Sequence, residues 1–368
     1  MRVLSIDGGG IRGILPATIL VALEQQSGRR IHELFDLIVG TSTGGILAIA
    51  LTCPTAAGRP ATADDIRSLY VEHGESIFPL GDAPLVGLPA KGNWLLGTRT
   101  PLPADATTGE KIAHFMGNQN VRKVVAAAGG TGAQGNARYP ADGLEAQLQQ
   151  RFGEHLMSEA VLPIAVVSCN FDTGAPVVFW GGGISGPATG DARMKHAARA
   201  TSAAPTFFPP LGYTTVQKQT IRCVDGGLVA NDPAIVGYTA ALGILSATGR
   251  SGERVHLVSL GTGIAATGES LERLDAEQIG GDTRSWAGVA PFLMKAFTTG
   301  SGELVREQLA MALGVFYVRI QTVLPAGISP AMDDASPAHV RQLLEVAEAT
   351  VRDRHSQIAG LADVLVSA

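Results

Sequence analysis

Residues 36–51 read D-L-I-V-G-T-S-T-G-G-I-L-A-I-A-L. Leu37, Ile38 and Val39 make a short unbroken apolar run, as a parallel strand buried on both faces requires, and Ile46 to Leu51 read as an apolar helix. Between them lies Gly40-Thr41-Ser42-Thr43-Gly44, a G-x-S-x-G set in a strand, a turn and a helix start. Such an elbow lifts the Ser42 hydroxyl off the sheet and turns the positive end of a helix toward it. Ser42 is the candidate nucleophile, and Gly40 and Gly44 are the flanks that admit so tight a turn. The same letters also fit a plain small-residue turn that lets strand and helix approach.

A second stretch, upstream, separates these readings. Val3 to Ile6 form another apolar run, followed by Asp7-Gly8-Gly9-Gly10-Ile11-Arg12-Gly13 and a helical pattern through Ile14, Ile19 and Leu23. Three consecutive glycines leave backbone N–H groups uncovered, as an oxyanion hole needs. Gly8, Gly10 and Gly13 also satisfy G-x-G-x-x-G, the dinucleotide fingerprint, and Asp36 falls about 20 residues on, where that fingerprint wants an acid. Asp36 precedes its strand, however, whereas a ribose-binding acid should follow it. A glycine-rich loop trailed at once by a nucleophile elbow is the more specific pattern.

Composition sets the bounds. A chain of 368 residues, 45% hydrophobic with 46 glycines, suits a large α/β domain with a buried parallel sheet and many tight turns. A net charge of −5 offers no electrostatic footprint for a nucleic-acid polymer. Cys53, Cys169 and Cys223 are odd in number and lack paired spacing, which points to core thiols in a reducing compartment. The N-terminus carries no signal-peptide pattern and no stretch reaches the ~20 apolar residues of a membrane span. The expectation is a cytoplasmic protein that touches the membrane from one side.

Along the chain, 62–77 reads as an amphipathic helix with an acidic first turn, on whose apolar stripe His73 packs. From 79 to 103 Pro and Gly alternate with apolar residues, a lid or a self-packed loop, and 129–136 (G-G-T-G-A-Q-G-N) reads as a linker. Helices are expected at 143–152, 191–201, 234–245, 286–299, 303–313 and 337–361, and strands at 162–169, 177–180, 220–224, 254–260 and 315–320, the last an edge. Ser202 to Pro210, small residues followed by Phe and Pro, fit a cleft wall or a tight crossover. At the end of the 220–224 strand stands Asp225-Gly226-Gly227. A carboxylate there can reach a neighbouring strand's elbow, although a turn aspartate hydrogen-bonded to its own backbone is the commonest reason for D-G.

With Asp7–Gly13, Gly40–Gly44 and Asp225–Gly227 in this order, the chain resembles the patatin-like phospholipases, whose pattern is D-G-G-G-x-R-G, G-x-S-x-G and D-G-G or D-G-A. Weaker similarity runs through 200–209, 228–233, 259–263 and 332–335. Asn231-Asp232-Pro233 departs from the family's more usual Asn-Asn-Pro. The resemblance implies one three-layer α/β/α sandwich over 1–368 with a mainly parallel central sheet and a lid or insert at 79–139. It implies that Ser42 attacks an acyl ester and Asp225 accepts its proton, a dyad without histidine, while the N–H groups of Gly8, Gly9 and Gly10 hold the oxyanion. Arg12 would orient that loop or meet a lipid phosphate, or else make a structural ion pair, with Gly13 and Gly226 in support. No metal or cofactor is implied. The implied substrate is a membrane phospholipid or lysophospholipid, and bacterial relatives of this layout include phospholipases switched on by a cyclic nucleotide in antiphage defence; a homo-oligomer is a further expectation for the partners.

Three other readings stand beside it: a dinucleotide-dependent oxidoreductase built on Gly8–Gly13, a non-catalytic lipid-binding module, and a Ser42–Asp225–His256 triad in the chain order of α/β-hydrolases. His256 lies within Val255-His256-Leu257-Val258, where a strand-face histidine is the plainer account.

Overall fold

The computed structural model describes residues 1–55, 58–79, 137, 139–184, 186, 189–205, 207–266 and 302–367. β1 (Arg2–Ile6) passes through one turn of 3-10 helix at Gly10–Gly13 into α1 (Ile14–Ser27), and α2 (Ile31–Leu34) returns the chain to β2 (Leu37–Thr41). β2 lies parallel to β1 with Val3 opposite Leu37 and Ile6 opposite Gly40. Both strands are buried on both faces from Val3 and Leu37 onward, which explains their unbroken apolar runs. α3 (Thr43–Ala50) is buried at every residue. α4 (Ala63–Ile77) is opened by a reciprocal cap, with Thr62 Oγ1 accepting from Asp65 N at 3.0 Å and Thr62 N donating to Asp65 Oδ2 at 2.9 Å.

After α5 (Asp142–Phe152) comes β3 (Ile164–Asn170), on which the geometry of the site turns. Ile164–Val167 pair in parallel with β2, while β4 (Pro176–Gly181) runs antiparallel along β3. α6 (Met194–Thr201) and β5 (Leu211–Thr214) lead to β6 (Thr220–Asp225), which pairs antiparallel with Ser168–Asn170. β2 ends with Thr41 opposite Val167, and β6 ends with Asp225 opposite Ser168. The two strands therefore approach along β3 from opposite ends and finish in adjacent rows.

The chain continues through α7 (Gly227–Ala230), α8 (Ala234–Ala247), β7 (His256–Leu260), β8 (Ile264–Ala265), α9 (302–313), β9 (Tyr317–Ile320) and β10 (Val323–Leu324). Among the described residues the main sheet has eight strands, in the order β5-β6-β3-β2-β1-β7-β9 with β4 on β3, and is mainly parallel at its centre. One face carries Leu4, Ile6, Ile38 and Val166 against α1, α3 and the C-terminal helices. The other carries Val3, Leu37, Val39, Ala165 and Leu257 against α8 and α9. The result is the expected α/β/α layering.

Some details differ from the sequence reading. The expected closing helix divides at Arg354 (φ −105°, ψ 16°) into α10 (Pro337–Asp353) and α11 (His355–Ser367). β5, short and half-exposed, carries no apolar run that would announce it. The expected helix at 286–299, the linker at 129–136 and nearly all of the 79–139 insert lie outside the described residues. The residues flanking that insert are in place: the Phe78 and Tyr139 rings meet edge-on with centroids 5.7 Å apart, both beside Phe208.

Candidate active site

Ser42 sits at φ 55°, ψ −124°, a conformation non-glycine residues rarely adopt, at a cost of about 1–3 kcal/mol. The turn is enforced by its flanks: a Cβ at Gly40 would lie 2.1 Å from the Gly44 carbonyl oxygen, and one at Gly44 would lie 2.1 Å from the Ile6 carbonyl oxygen. The Ser42 Oγ donates to Asp225 Oδ2 at 2.5 Å, and Asp225 Oδ1 accepts from Gly227 N at 2.7 Å. Ser42 is 9% exposed and Asp225 5%, so the pair is shielded from bulk water. Burial pushes the Asp225 carboxyl up to about 6, against the hydrogen bonds from Ser42 and Gly227 that favour its charged form.

Thr201, which lies in the weakly family-like stretch 200–209 but is not singled out there, ties the two loops together. Its Oγ1 accepts from Ser42 N at 2.8 Å and donates to the Val167 carbonyl, and its own carbonyl accepts from Gly226 N at 3.3 Å. Asp225 N donates to the Ala203 carbonyl at 3.0 Å. The small-residue segment after α6 thus anchors Asp225 through its backbone.

The glycine loop passes close to Ser42, since a Cβ at Gly8 would lie 3.1 Å from Ser42 Cβ. The Gly8 N–H donates to the Asn231 carbonyl at 3.1 Å, so it is already engaged, which leaves Gly9 and Gly10 of the three amides expected to hold an oxyanion. Gly10 adopts φ 59°, and a Cβ there would lie 2.0 Å from the Met332 carbonyl oxygen. Arg12 turns back on the loop, its Nε 3.5 Å from the Gly9 carbonyl and its Nη1 donating to the Gly263 carbonyl at 3.3 Å. Burial pulls its guanidinium down to about 10, opposed by Asp7. Of the expectations for Arg12, these backbone contacts match loop orientation. Gly13 opens α1 beside Thr43 and Tyr70. Asp7 is gripped by Arg319 through Nη1–Oδ1 at 2.9 Å and Nη2–Oδ2 at 2.5 Å.

His256 is not brought to this site. It stands opposite Arg2 at the start of β7 with its ring 4.8 Å from that of Phe316, whereas Ser42 follows the far end of β2. The Arg2 row falls at Asp36 on β2, and Ser42 lies six residues further along, about 20 Å of extended chain. Asp36, which a ribose would need, lies at the same remote end and is held by Arg2 Nη2 at 2.7 Å. Among the described residues no group of three His, Cys, Asp or Glu side chains gathers to hold a metal ion.

Residues 4–238, more than half of the chain, match the family described as patatin-like phospholipase. The chain belongs to this family. Patatin-T5 of Solanum tuberosum is 29% identical over 376 aligned residues, spanning 95% of this patatin-like chain and 83% of the relative. Patatin-like protein 2 of Oryza sativa subsp. indica is 27% identical over 375, with coverage of 95% and 83%. A crystal structure of VipD from Legionella pneumophila aligns with 95% of the chain and 66% of its own length, just under two thirds. It does so at 15% identity and a TM-score of 0.39, too slight to bear on the fold. Membership in the patatin-like phospholipases supports lipid acyl hydrolysis as the class of activity and removes the motive for the dinucleotide reading of Gly8–Gly13. Among the described residues no helix is long and apolar enough to cross a membrane.

Proposed function

We propose that this protein is a serine lipid acyl hydrolase that cleaves fatty-acyl esters of membrane phospholipids or lysophospholipids through a Ser42–Asp225 dyad. The observation that carries the reading is the hydrogen bond from Ser42 Oγ to Asp225 Oδ2 at 2.5 Å, between two buried side chains beside the glycine loop. An aspartate at its ordinary pKa near ~3.9 is a weak base at neutral pH. A carboxyl raised to about 6 by burial is a better one that is still mostly ionised at pH 7.

Asp225 takes the Ser42 proton as Oγ attacks the ester carbonyl, and the N–H groups of Gly9 and Gly10 receive the developing oxyanion. Collapse of the tetrahedral intermediate expels the alcohol, which leaves with the proton held on Asp225. Water then attacks the acyl-enzyme with Asp225 again accepting a proton, releasing fatty acid and free Ser42. Arg12 and Arg319 keep the loop in register.

Mass spectrometry of phospholipid vesicles incubated with wild type, Ser42→Ala and Asp225→Asn tests this directly. Release of fatty acid by the wild type alone is expected; release by Ser42→Ala at the wild-type rate rejects the dyad. Absence of release, together with no fluorophosphonate labelling of Ser42, favours a non-catalytic lipid-binding module. Activation by a cyclic nucleotide in antiphage defence rests on resemblance alone. Adding a panel of cyclic di- and trinucleotides to the same assay tests it, and unchanged rates reject it.

A further inference from the structure

The sheet face turned toward α8 and α9 carries one polar row among the described residues of β1, β7 and β9. There Ser5, Ser259 and Arg319 stand side by side on β1, β7 and β9. Arg319 Nη1, besides meeting Asp7, donates to Ser259 Oγ at 2.6 Å and lies 3.4 Å from Asp232 Oδ2. Asp232 is 4% exposed; its Oδ1 accepts from Ala234 N at 3.1 Å at the start of α8, while its Oδ2 has no hydrogen-bond partner. Two buried carboxylates thus face one guanidinium, and only Asp7 is hydrogen-bonded to it. Arg306 on α9 and Tyr317 on β9 are the remaining titratable groups that act on Asp232 or are acted on by it.

This arrangement sits directly behind the glycine loop. Asp7 is the residue from which the loop departs, and Asn231, the neighbour of Asp232, holds the Gly8 N–H. We propose that Asp232 is a positioning residue: when ionised it draws Arg319 away from Asp7 and sets a second negative charge behind the glycine loop, weakening the loop's hold on an oxyanion beside Ser42. The inference rests on the acyl-hydrolase reading above and adds to it a control on that same site. Burial and the charge of Asp7 push the Asp232 carboxyl up to about 7, opposed by Arg319, so the control operates near neutral pH.

The test is kcat/KM on a soluble short-chain ester from about pH 5 to about pH 9, for wild type and Asp232→Asn, with Tm recorded at each pH. Asn keeps an acceptor for Ala234 N; Asp232→Ser, which also keeps one, serves as a second variant. Wild-type activity is expected to rise with Asp225 ionisation near 6 and decline above about 7. The decline should be roughly tenfold, what one added charge does across about 10 Å at an effective dielectric near 20. Both variants should rise alike and lack the decline. Because the folded carboxyl titrates near 7 instead of 3.8, its contribution to wild-type stability is fully present below 3.8 and lost as pH climbs through 7. Tm of the wild type should therefore fall relative to the variants over that window. Superimposable profiles and parallel Tm curves in an active wild type overturn this inference alone. A wild type that neither hydrolyses esters nor takes a fluorophosphonate at Ser42 overturns the acyl-hydrolase reading with it.

Discussion

Replacing Thr201 by valine removes one hydroxyl and nearly nothing else by volume, yet it is expected to damage both stability and turnover. The hydroxyl accepts from Ser42 N at 2.8 Å and donates to the Val167 carbonyl, and Thr201 is fully buried. Valine leaves the Ser42 N–H and the Val167 carbonyl without that partner, and an unsatisfied buried group costs about 1–3 kcal/mol. A methyl group in place of the oxygen is also too large for a 2.8 Å approach to a nitrogen, so the elbow must shift. The expected loss is roughly 2–4 kcal/mol in urea denaturation, with kcat down by at least ~10-fold because Ser42 leaves its strained backbone conformation. Thr201→Ser keeps the hydroxyl and loses only a methyl that packs by Gly45, so it should cost about 1 kcal/mol and keep most activity. If Thr201→Val matches the wild type in both measurements, or if Thr201→Ser is as impaired as Thr201→Val, the hydrogen-bond argument fails.

Three further outcomes follow from the geometry. Asp225→Asn keeps the acceptor for Gly227 N but removes the base, so kcat should fall about 10²- to 10⁴-fold in an ester assay. The wild-type carboxyl is raised from 3.8 to about 6, so the stability it contributes is lost as pH rises through 6; thermal melts should show the variant gaining on the wild type over that interval. His256→Asn should leave kcat within about twofold, since the ring contacts Phe316 at the far end of the sheet; loss of activity with an intact fold would revive the triad. Gly10→Ala forces a Cβ to 2.0 Å from a backbone oxygen at φ 59°, and should cost more than about 1 kcal/mol along with most of kcat, read by denaturation and ester turnover.

The meeting of Ser42 with Asp225 was legible because each is announced by its immediate neighbours: a Ser between obligatory glycines after an apolar run, and an Asp at a strand end before Gly226 and Gly227. The α/β/α layering was legible for a similar reason, since strands buried on both faces read as unbroken runs. What lay outside the sequence was pairing over long separations. Thr201 and Ser42 are 159 positions apart, and Asp7 and Arg319 are 312. No local pattern reports that β6 meets β2 end to end along β3, and without that fact Thr201 is an ordinary helix-terminal threonine. Gly8 was misassigned because its glycine character was visible while the Asn231 carbonyl opposite was not. The break at Arg354 has neither Gly nor Pro to mark it.

The contact between Phe78 and Tyr139 has a consequence for how this scaffold changes over generations. A segment whose departure and return points touch imposes almost no geometric demand on its host, and lengthening it adds only a slowly growing closure entropy. Point changes to Phe78, Tyr139 or Phe208 should therefore be felt throughout the neighbouring framework. Exchange of the sequence strung between the first two, for one of different length taken from a cousin, should be tolerated as a transplant is.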